Sequence, residues 1–180
     1  PELQAQIPAD LRPEHPIAAR PGAAPAVADA PYPVVLFSHG FAGFPEQSAH
    51  LTTHLASWGH VVAATDHVER SLSCLLGGAG AGVDPASDVD VLADLLDRVA
   101  LAGDDPASPL AGLVDPEAVV VAGHSAGARA AYQAAAADER VDAFVSYSVG
   151  PGRDDDGLGP VPAVPGLVML GELDETIEPA

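Results

Sequence analysis

The chain contains no lysine, a single cysteine and few aromatic residues, and each shortage limits what the protein can be. Cys74 alone cannot form an intramolecular disulfide, and one thiol does not indicate a redox compartment. Because aromatic residues make up only 4% of the 180 residues, the core has to be built from Val, Leu and Ala. No apolar run approaches the length that crosses a bilayer, so we expect no membrane span.

Positive charge is also scarce. Seven Lys and Arg residues stand against 26 Asp and Glu residues, which gives a formal net charge of −19. Such a surface repels phosphate backbones and anionic headgroups, so we expect no nucleic-acid partner. The chain begins at Pro1 without Met, which we interpret as loss of an upstream segment, with a signal peptide as one candidate. Localisation and oligomeric state stay open.

The chain divides into an irregular lead-in and a regular core. Residues 1–32 are rich in Pro and Ala, whereas residues 33–180 alternate between short apolar runs and amphipathic stretches. The strands are predicted at 34–38, 60–66, 118–123, 141–148 and 166–170, and the main helices at 46–59, 87–101 and 126–138. This alternation predicts a single α/β domain, with a doubly wound, mostly parallel sheet and helices on both faces.

The pentapeptide Gly-His-Ser-Ala-Gly, residues 123–127, lies between a predicted strand and a predicted helix. The pattern alone is weak evidence, but in this context it is typical of a tight turn that holds a serine in strained backbone geometry. Ser125 is therefore a candidate nucleophile above the carboxyl end of the sheet. Ala126 opens the helix, so its N–H could donate to an oxyanion. An ordinary Gly-rich strand-to-helix turn is the alternative.

A second turn, "FSHGFAG" at 37–43, directly follows the first predicted strand. We expect it to supply the second oxyanion donor as a backbone N–H, from Phe41 or, as the next choice, from Ala42. His39 and His124 lie close to these turns in sequence. We expect both rings to pack against their turns rather than take part in chemistry.

The segment "PVVLFSHGFAGFPEQSAHLTTHLASWGHVVAATDHVERS" resembles the α/β-hydrolase superfamily, and the resemblance extends over residues 33–178. It is similar above all to the platelet-activating-factor acetylhydrolase, polyester hydrolase and dienelactone hydrolase branches. The resemblance implies a carboxylic-ester hydrolase with a Ser–His–Asp triad, an acyl-enzyme on Ser125 and a small-molecule or polymeric ester as substrate. Such chemistry needs no metal or organic cofactor.

The resemblance also implies the position of the acid. "LGELDETIEP" at 170–179 is similar to the loop that carries the triad Asp in polyester hydrolases, which points to Asp174. In the acetylhydrolase branch the acid follows the preceding strand, which makes Asp154 the alternative. The family's His should follow the acid, but no His follows Asp174, and the family's opening strands, last helix and last strand have no counterpart. We therefore expect an α/β-hydrolase core that is incomplete at both ends.

Several residue patterns imitate other sites. His50 and His54 have a zinc-binding spacing but no further ligand in view, so solvated helix histidines are expected. A run of four aspartates in the second main helix is expected to form a solvated face, and Trp58 to lie in the core. The four are Asp88, Asp90, Asp94 and Asp97.

No histidine of the chain is expected to hydrogen-bond Ser125. His67 lies in a loop at the active-site rim and is the one to test; with Glu69 it could line a pocket or lie on the loop surface. If the triad is incomplete, a non-catalytic α/β-hydrolase-like binding protein is the alternative function. An acyltransferase or perhydrolase on the same fold is another.

Overall fold

The computed structural model describes residues 17, 19–78, 87–149 and 158–174. Five strands form one parallel sheet in the order β2-β1-β3-β4-β5. Their bounds are β1 Tyr32–Ser38, β2 Val61–Ala64, β3 Val114–His124, β4 Ala143–Tyr147 and β5 Gly166–Met169. The α-helices are α1 Ala49–Ser57, α2 Leu72–Leu75, α3 Asp88–Asp104 and α4 Ala126–Ala137. The predicted α/β class and parallel sheet are confirmed.

The predicted elements are present with shifted ends. β3 begins at Val114, four residues before the predicted start, because Tyr32 and Pro33 of β1 extend the pairing past a register shift. The predicted helix at 46–59 is a 3-10 turn, Pro45–Ser48, followed by α1. The predicted loop after β2 contains a second 3-10 turn, Val68–Arg70, and the short α2.

Side chains that alternate along the strands divide the core into two layers. Val34 and Leu36 of β1 pack with Val119 and Val121 of β3 against α3 and α4. The intervening residues face the other side of the sheet, where they pack with Leu55 of α1; they include Val35, Phe37 and Ala122. Helices therefore cover both faces, as predicted, and the larger core lies on the α3–α4 side.

The α1 layer is thin, and the prediction that Trp58 lies in the core is wrong. None of the residues of α1 is buried, and the Trp58 side chain that follows it is 73% exposed. Trp58 lines an open cleft of about 810 Å³ at the amino-terminal end of β1 and β2, the end opposite Ser125. The helical spacing places Leu51, Leu55 and Trp58 on one side of the helix. Within the described residues, however, only Leu55 of these three packs against the cluster of Val35, Phe37 and Ala122.

Because all five strands are parallel, their carboxyl ends meet at one edge of the sheet. Ser38, His124, Tyr147 and Met169 end their strands there. Within the described residues β5 pairs with β4 alone and forms one side of the sheet, with Leu167 55% exposed. Among the described helices, none is both long and apolar enough to cross a bilayer.

Candidate active site

Ser125 occupies a tight turn between the end of β3 and the start of α4. Its backbone has φ +54° and ψ −119°, a conformation that non-glycine residues rarely adopt, and its N–H donates to Tyr147 O at 2.8 Å. A Cβ on Gly127 would overlap the carbonyl group of Ser38, and one on Gly123 would overlap that of Gly127. The strained serine and the need for glycine two residues on either side are as predicted.

The loop after β1 packs directly against this turn. A Cβ on Gly40 would lie 3.0 Å from His124 Nδ1 and 3.5 Å from Ser125 Cβ. Gln47 joins the two turns, because its Oε1 accepts the Gly40 N–H at 3.1 Å and its Nε2 donates to His124 Nδ1 at 3.0 Å. The His124 ring also packs against Tyr147, with ring centroids 5.1 Å apart. His124 therefore packs against its turn, as predicted; Gln47 was not identified from the sequence.

Some backbone N–H groups of the two turns already donate a hydrogen bond, whereas others do not. Ala42, at φ +57°, donates its N–H to Arg70 O at 2.9 Å. Within the described residues we find no acceptor for the N–H of Phe41 or of Ala126, the first residue of α4. Of the two alternatives for the second oxyanion donor, this bonding leaves the Phe41 N–H available. The role of both donors stays a prediction.

His67 does not line the rim, contrary to the sequence interpretation. It is fully buried below the loop after β1, with Nε2 2.8 Å from Ser38 Oγ and Nδ1 2.7 Å from Asp88 Oδ1. Asp88 is likewise not part of a solvated face, since only 25% of its side chain is exposed. The other three aspartates of the predicted solvated face, Asp90, Asp94 and Asp97, are exposed; Asp94 pairs with Arg98 and Asp97 with Arg140. The 3-10 turn Val68–Arg70 turns His67 inward, and no local sequence pattern showed this.

Arg70 fixes the same loop from its buried side. Its guanidinium donates from Nε to Asp88 Oδ1 at 3.2 Å, from Nη2 to Ser38 Oγ at 2.9 Å and from Nη1 to His39 O. Burial alone would raise the pKa of Asp88, but contact with His67 and the charge of Arg70 bring it below its ordinary value. An arginine buried to this degree is rare unless its donors are satisfied, as they are here.

His39 is a structural residue, which confirms the expectation that it packs against its turn. The ring is fully buried; Nδ1 donates to Gly40 O at 2.8 Å, and Nε2 accepts the His67 N–H at 3.0 Å. Asp66 Oδ1 also lies 3.1 Å from Nε2. Burial lowers the pKa of His39 below its ordinary value, in agreement with a neutral ring that accepts at Nε2.

The remaining triad candidates lie at the same edge of the sheet or outside the described residues. Asp174 follows the end of β5 by five residues and is half-buried; its N–H donates to Gly171 O at 3.2 Å. Asp154 lies outside the described residues, and so does His15. The ring hydrogen bonds of His39, His60, His67 and His124 go to partners other than Ser125 Oγ. The assignment of Asp174 as the acid stays a prediction.

The surface around Ser125 is apolar. Phe41 and Tyr147 are 67% and 50% exposed. A cavity of about 240 Å³ opens beside the turn, and it is lined by Phe37, Ser48, His50, Leu51, Ala122, Gly123, Val145, Tyr147 and Met169. His50 and His54 are exposed on α1, as expected for solvated helix histidines.

Comparison with known proteins shows that this fold is similar to that of ester hydrolases. The family model for platelet-activating factor acetylhydrolase, isoform II, matches residues 18–76, which include the loop after β1 and the buried His67 and Arg70. A solved structure of a ferulic acid esterase from Streptomyces cinnamoneus is similar at 27% identity and a TM-score of 0.53. The match covers 78% of this chain and 43% of the esterase. No curated protein sequence matches the chain.

Proposed function

We propose, from the relationship of this chain to the α/β-hydrolases near the platelet-activating factor acetylhydrolase branch, that the protein hydrolyses carboxylic esters through an acyl-enzyme on Ser125. The observation that carries the proposal is the geometry of Ser125. Its φ of +54° places it in a strained turn at the carboxyl edge of the sheet, next to a loop whose glycine approaches its Cβ. A serine that only ended a strand would need neither feature.

In the proposed reaction, Ser125 Oγ attacks the ester carbonyl and a base takes its proton. A free hydroxyl is a weak nucleophile, so an imidazole is required. Since the rings of His39, His60, His67 and His124 are bonded to other partners, we infer that the base is none of these four and is supplied by another imidazole. Asp174, at the same edge of the sheet, would hold that ring in the tautomer that accepts the proton. The imidazole would later return the proton to the leaving alcohol.

The oxyanion of the tetrahedral intermediate would be held by the N–H groups of Phe41 and Ala126. Both groups lack an acceptor within the described residues, whereas the neighbouring Ala42 N–H is engaged by Arg70 O. One such donor is worth about 10²–10³ in turnover, because it acts only where charge develops.

The apolar surroundings favour an ester with an apolar acyl or alcohol group. The cavity beside the turn, about 240 Å³ in volume, is lined almost entirely by apolar side chains and could take such a group. The exposed Phe41 and Tyr147 extend this apolar surface outward. Both a small-molecule ester and the end of a polymeric ester suit this arrangement.

Replacing Ser125 by Ala tests the proposal. We expect Ser125→Ala to abolish hydrolysis of short p-nitrophenyl esters and labelling by a fluorophosphonate probe, with an unchanged circular dichroism spectrum. Loss of a triad serine costs on the order of 10⁶ in turnover. Ser57→Ala, at the exposed end of α1, is the matched control and should retain activity and labelling. Activity of Ser125→Ala within about tenfold of the unmodified protein would contradict the proposal.

One observation favours a second candidate function, a non-catalytic binding protein of the same fold. The rings of His39, His60, His67 and His124 bond to partners other than Ser125 Oγ, and an unactivated serine does not turn over esters. Labelling by the fluorophosphonate probe distinguishes the ester hydrolase from the binding protein. A binding protein would stay unlabelled at Ser125 while its apolar cavity still took up an ester analogue.

A further inference from the structure

Three potential metal ligands meet on the buried side of the loop after β1. His67 Nδ1 and carboxylate oxygens of Glu69 and Asp88 all lie within 4.8 Å of one another. His67 and Glu69 flank Val68 at the 3-10 turn, and Asp88 is the first residue of α3. We propose that these three residues form a binding site for one divalent transition-metal cation. The site is separate from the chemistry proposed at Ser125.

The buried nitrogen of His67 points to a ligand. Nδ1 is fully buried and makes no hydrogen bond among the described residues. Asp88 Oδ1 lies 2.7 Å from it, yet the two atoms do not form a hydrogen bond. A buried polar atom without a hydrogen bond calls for an explanation, such as an ion. Two metal ligands side by side show just such a short distance without a hydrogen bond.

The other ring nitrogen fixes the tautomer that a metal needs. His67 Nε2 lies 2.8 Å from Ser38 Oγ, which can accept a hydrogen bond from the ring N–H. With the proton on Nε2, the lone pair of Nδ1 is left for a cation. A metal-binding histidine usually donates its second N–H to an oxygen in this way. Ser38 is itself fully buried and held by Arg70, so the ring orientation is fixed.

The local charge also suits a dication. Asp66, Glu69 and Asp88 bring three negative charges around the His39 and His67 rings, and Arg70 brings one positive charge. The sum is −2. Arg70 donates one hydrogen bond to Oδ1 of Asp88, and the carboxylate keeps lone pairs on both oxygens for the ion.

One imidazole and two carboxylates select among divalent ions. Imidazole suits Zn²⁺ and other transition ions, whereas Ca²⁺ and Mg²⁺ prefer sites made only of oxygen. The bound ion would join the 3-10 turn to the first turn of α3. It would thereby stiffen the buried support of the loop after β1, and it needs no role at Ser125.

The test measures Zn²⁺ binding by the whole protein with calorimetry, and Co²⁺ binding by its visible absorption. We expect one ion per chain and a higher melting temperature with Zn²⁺. Glu69→Gln, in a half-buried side chain outside the packed core, should weaken Zn²⁺ binding at least about tenfold, the lower end of the cost of losing even an outer-shell partner. Asp88→Asn should weaken it as well. The matched control Asp90→Asn, an exposed charge in the same first turn of α3, should bind as the unmodified protein does.

A second control removes the competing pair on α1. His50 and His54 could bind Zn²⁺ on the helix surface, and His54 lies beside Trp58, whose fluorescence would report that event. The proposal is overturned if His54→Gln abolishes binding while Glu69→Gln leaves it intact. It is also overturned if micromolar Zn²⁺ neither binds nor shifts the melting temperature. In both cases the contact of His67 with Asp88 is an ion pair only. Because every readout is binding or stability, failure of this proposal leaves the one for Ser125 untouched.

Discussion

At the scale of single residues, Gln47 sets the distance between the two turns of the candidate site. Its amide accepts the N–H of Gly40 and donates to His124, so one side chain ties the loop after β1 to the turn that carries Ser125. The two proposed oxyanion donors, Phe41 and Ala126, lie on opposite sides of this link. Gln47 is thus a positioning residue under the proposed function.

Replacing Gln47 by Met removes both hydrogen bonds at nearly constant volume. We expect Gln47→Met to lower kcat for p-nitrophenyl esters about tenfold with KM nearly unchanged, since a displaced donor costs less than a missing one. Gln47→Glu keeps the acceptor for the Gly40 N–H, so its kcat should lie between that of Gln47→Met and that of the unmodified protein. Steady-state kinetics measure the change, with Glu46→Gln as the neighbouring control. An equal rise in KM with constant kcat would show that Gln47 contacts substrate instead.

At the scale of elements, α3 and α4 are joined by one surface arginine. Arg140, just after α4, pairs with Asp97 of α3 at 2.5 Å and with Asp138 at 2.6 Å. The hydrogen bond from Arg140 holds the pKa of Asp138 below its ordinary value, against the opposing effect of partial burial. Only 16% of the Asp138 side chain is exposed, so this pair is screened less than the others at the surface.

The depressed pKa of Asp138 predicts a pH-dependent contribution to stability. A carboxylate with a lowered folded pKa stabilises the fold above its unfolded pKa, and that stabilisation is lost as the pH falls through the folded value. Asp138→Asn should therefore cost about 1 kcal/mol at neutral pH, and the difference should vanish in acid. Denaturant unfolding at several pH values measures it. Asp94→Asn, from the exposed pair with Arg98, should change little; a pH-independent loss for Asp138→Asn would contradict the linkage.

At the scale of the whole molecule, the net charge of −19 acts on every element at once. Within the described residues, salt bridges join three arginines to four aspartates, whereas the full chain carries 26 acidic residues against seven arginines, so negative charges repel one another. Self-repulsion of this kind destabilises a compact state and is screened by salt.

Raising the ionic strength should therefore stabilise the protein at neutral pH. We expect the melting temperature to rise by roughly 2–4 °C between low salt and about 0.5 M NaCl, equal to about 1 kcal/mol for a domain of this size. Near the isoelectric point of about 4.3 the same salt should have little effect. Scanning calorimetry at neutral pH and near the isoelectric point measures how the melting temperature changes with salt in each case. A similar rise at both pH values would assign the effect to the salt itself rather than to the charge of the protein.

The sequence by itself determined the class of the fold and the turn around Ser125. Both follow from local rules: apolar runs bounded by Gly and Pro predict strands, and a strand, a glycine-framed serine and an alanine-rich helix predict a strained turn. The start of β3 could not be predicted from local patterns, because its first residues pair with Tyr32 and Pro33, more than 80 positions away along the chain.

Only the tertiary structure decided where the polar side chains below the site point. The pattern of α3 places Asp88 among solvated aspartates, and the pattern around His67 suits a loop surface. The 3-10 turn at Val68–Arg70 instead brings His67, Arg70 and Asp88 together beneath Ser38. These contacts span 18 to 32 residues along the chain. Periodicity reports which residues share a face of their own element, but the partner of a buried polar group depends on which elements the fold brings together.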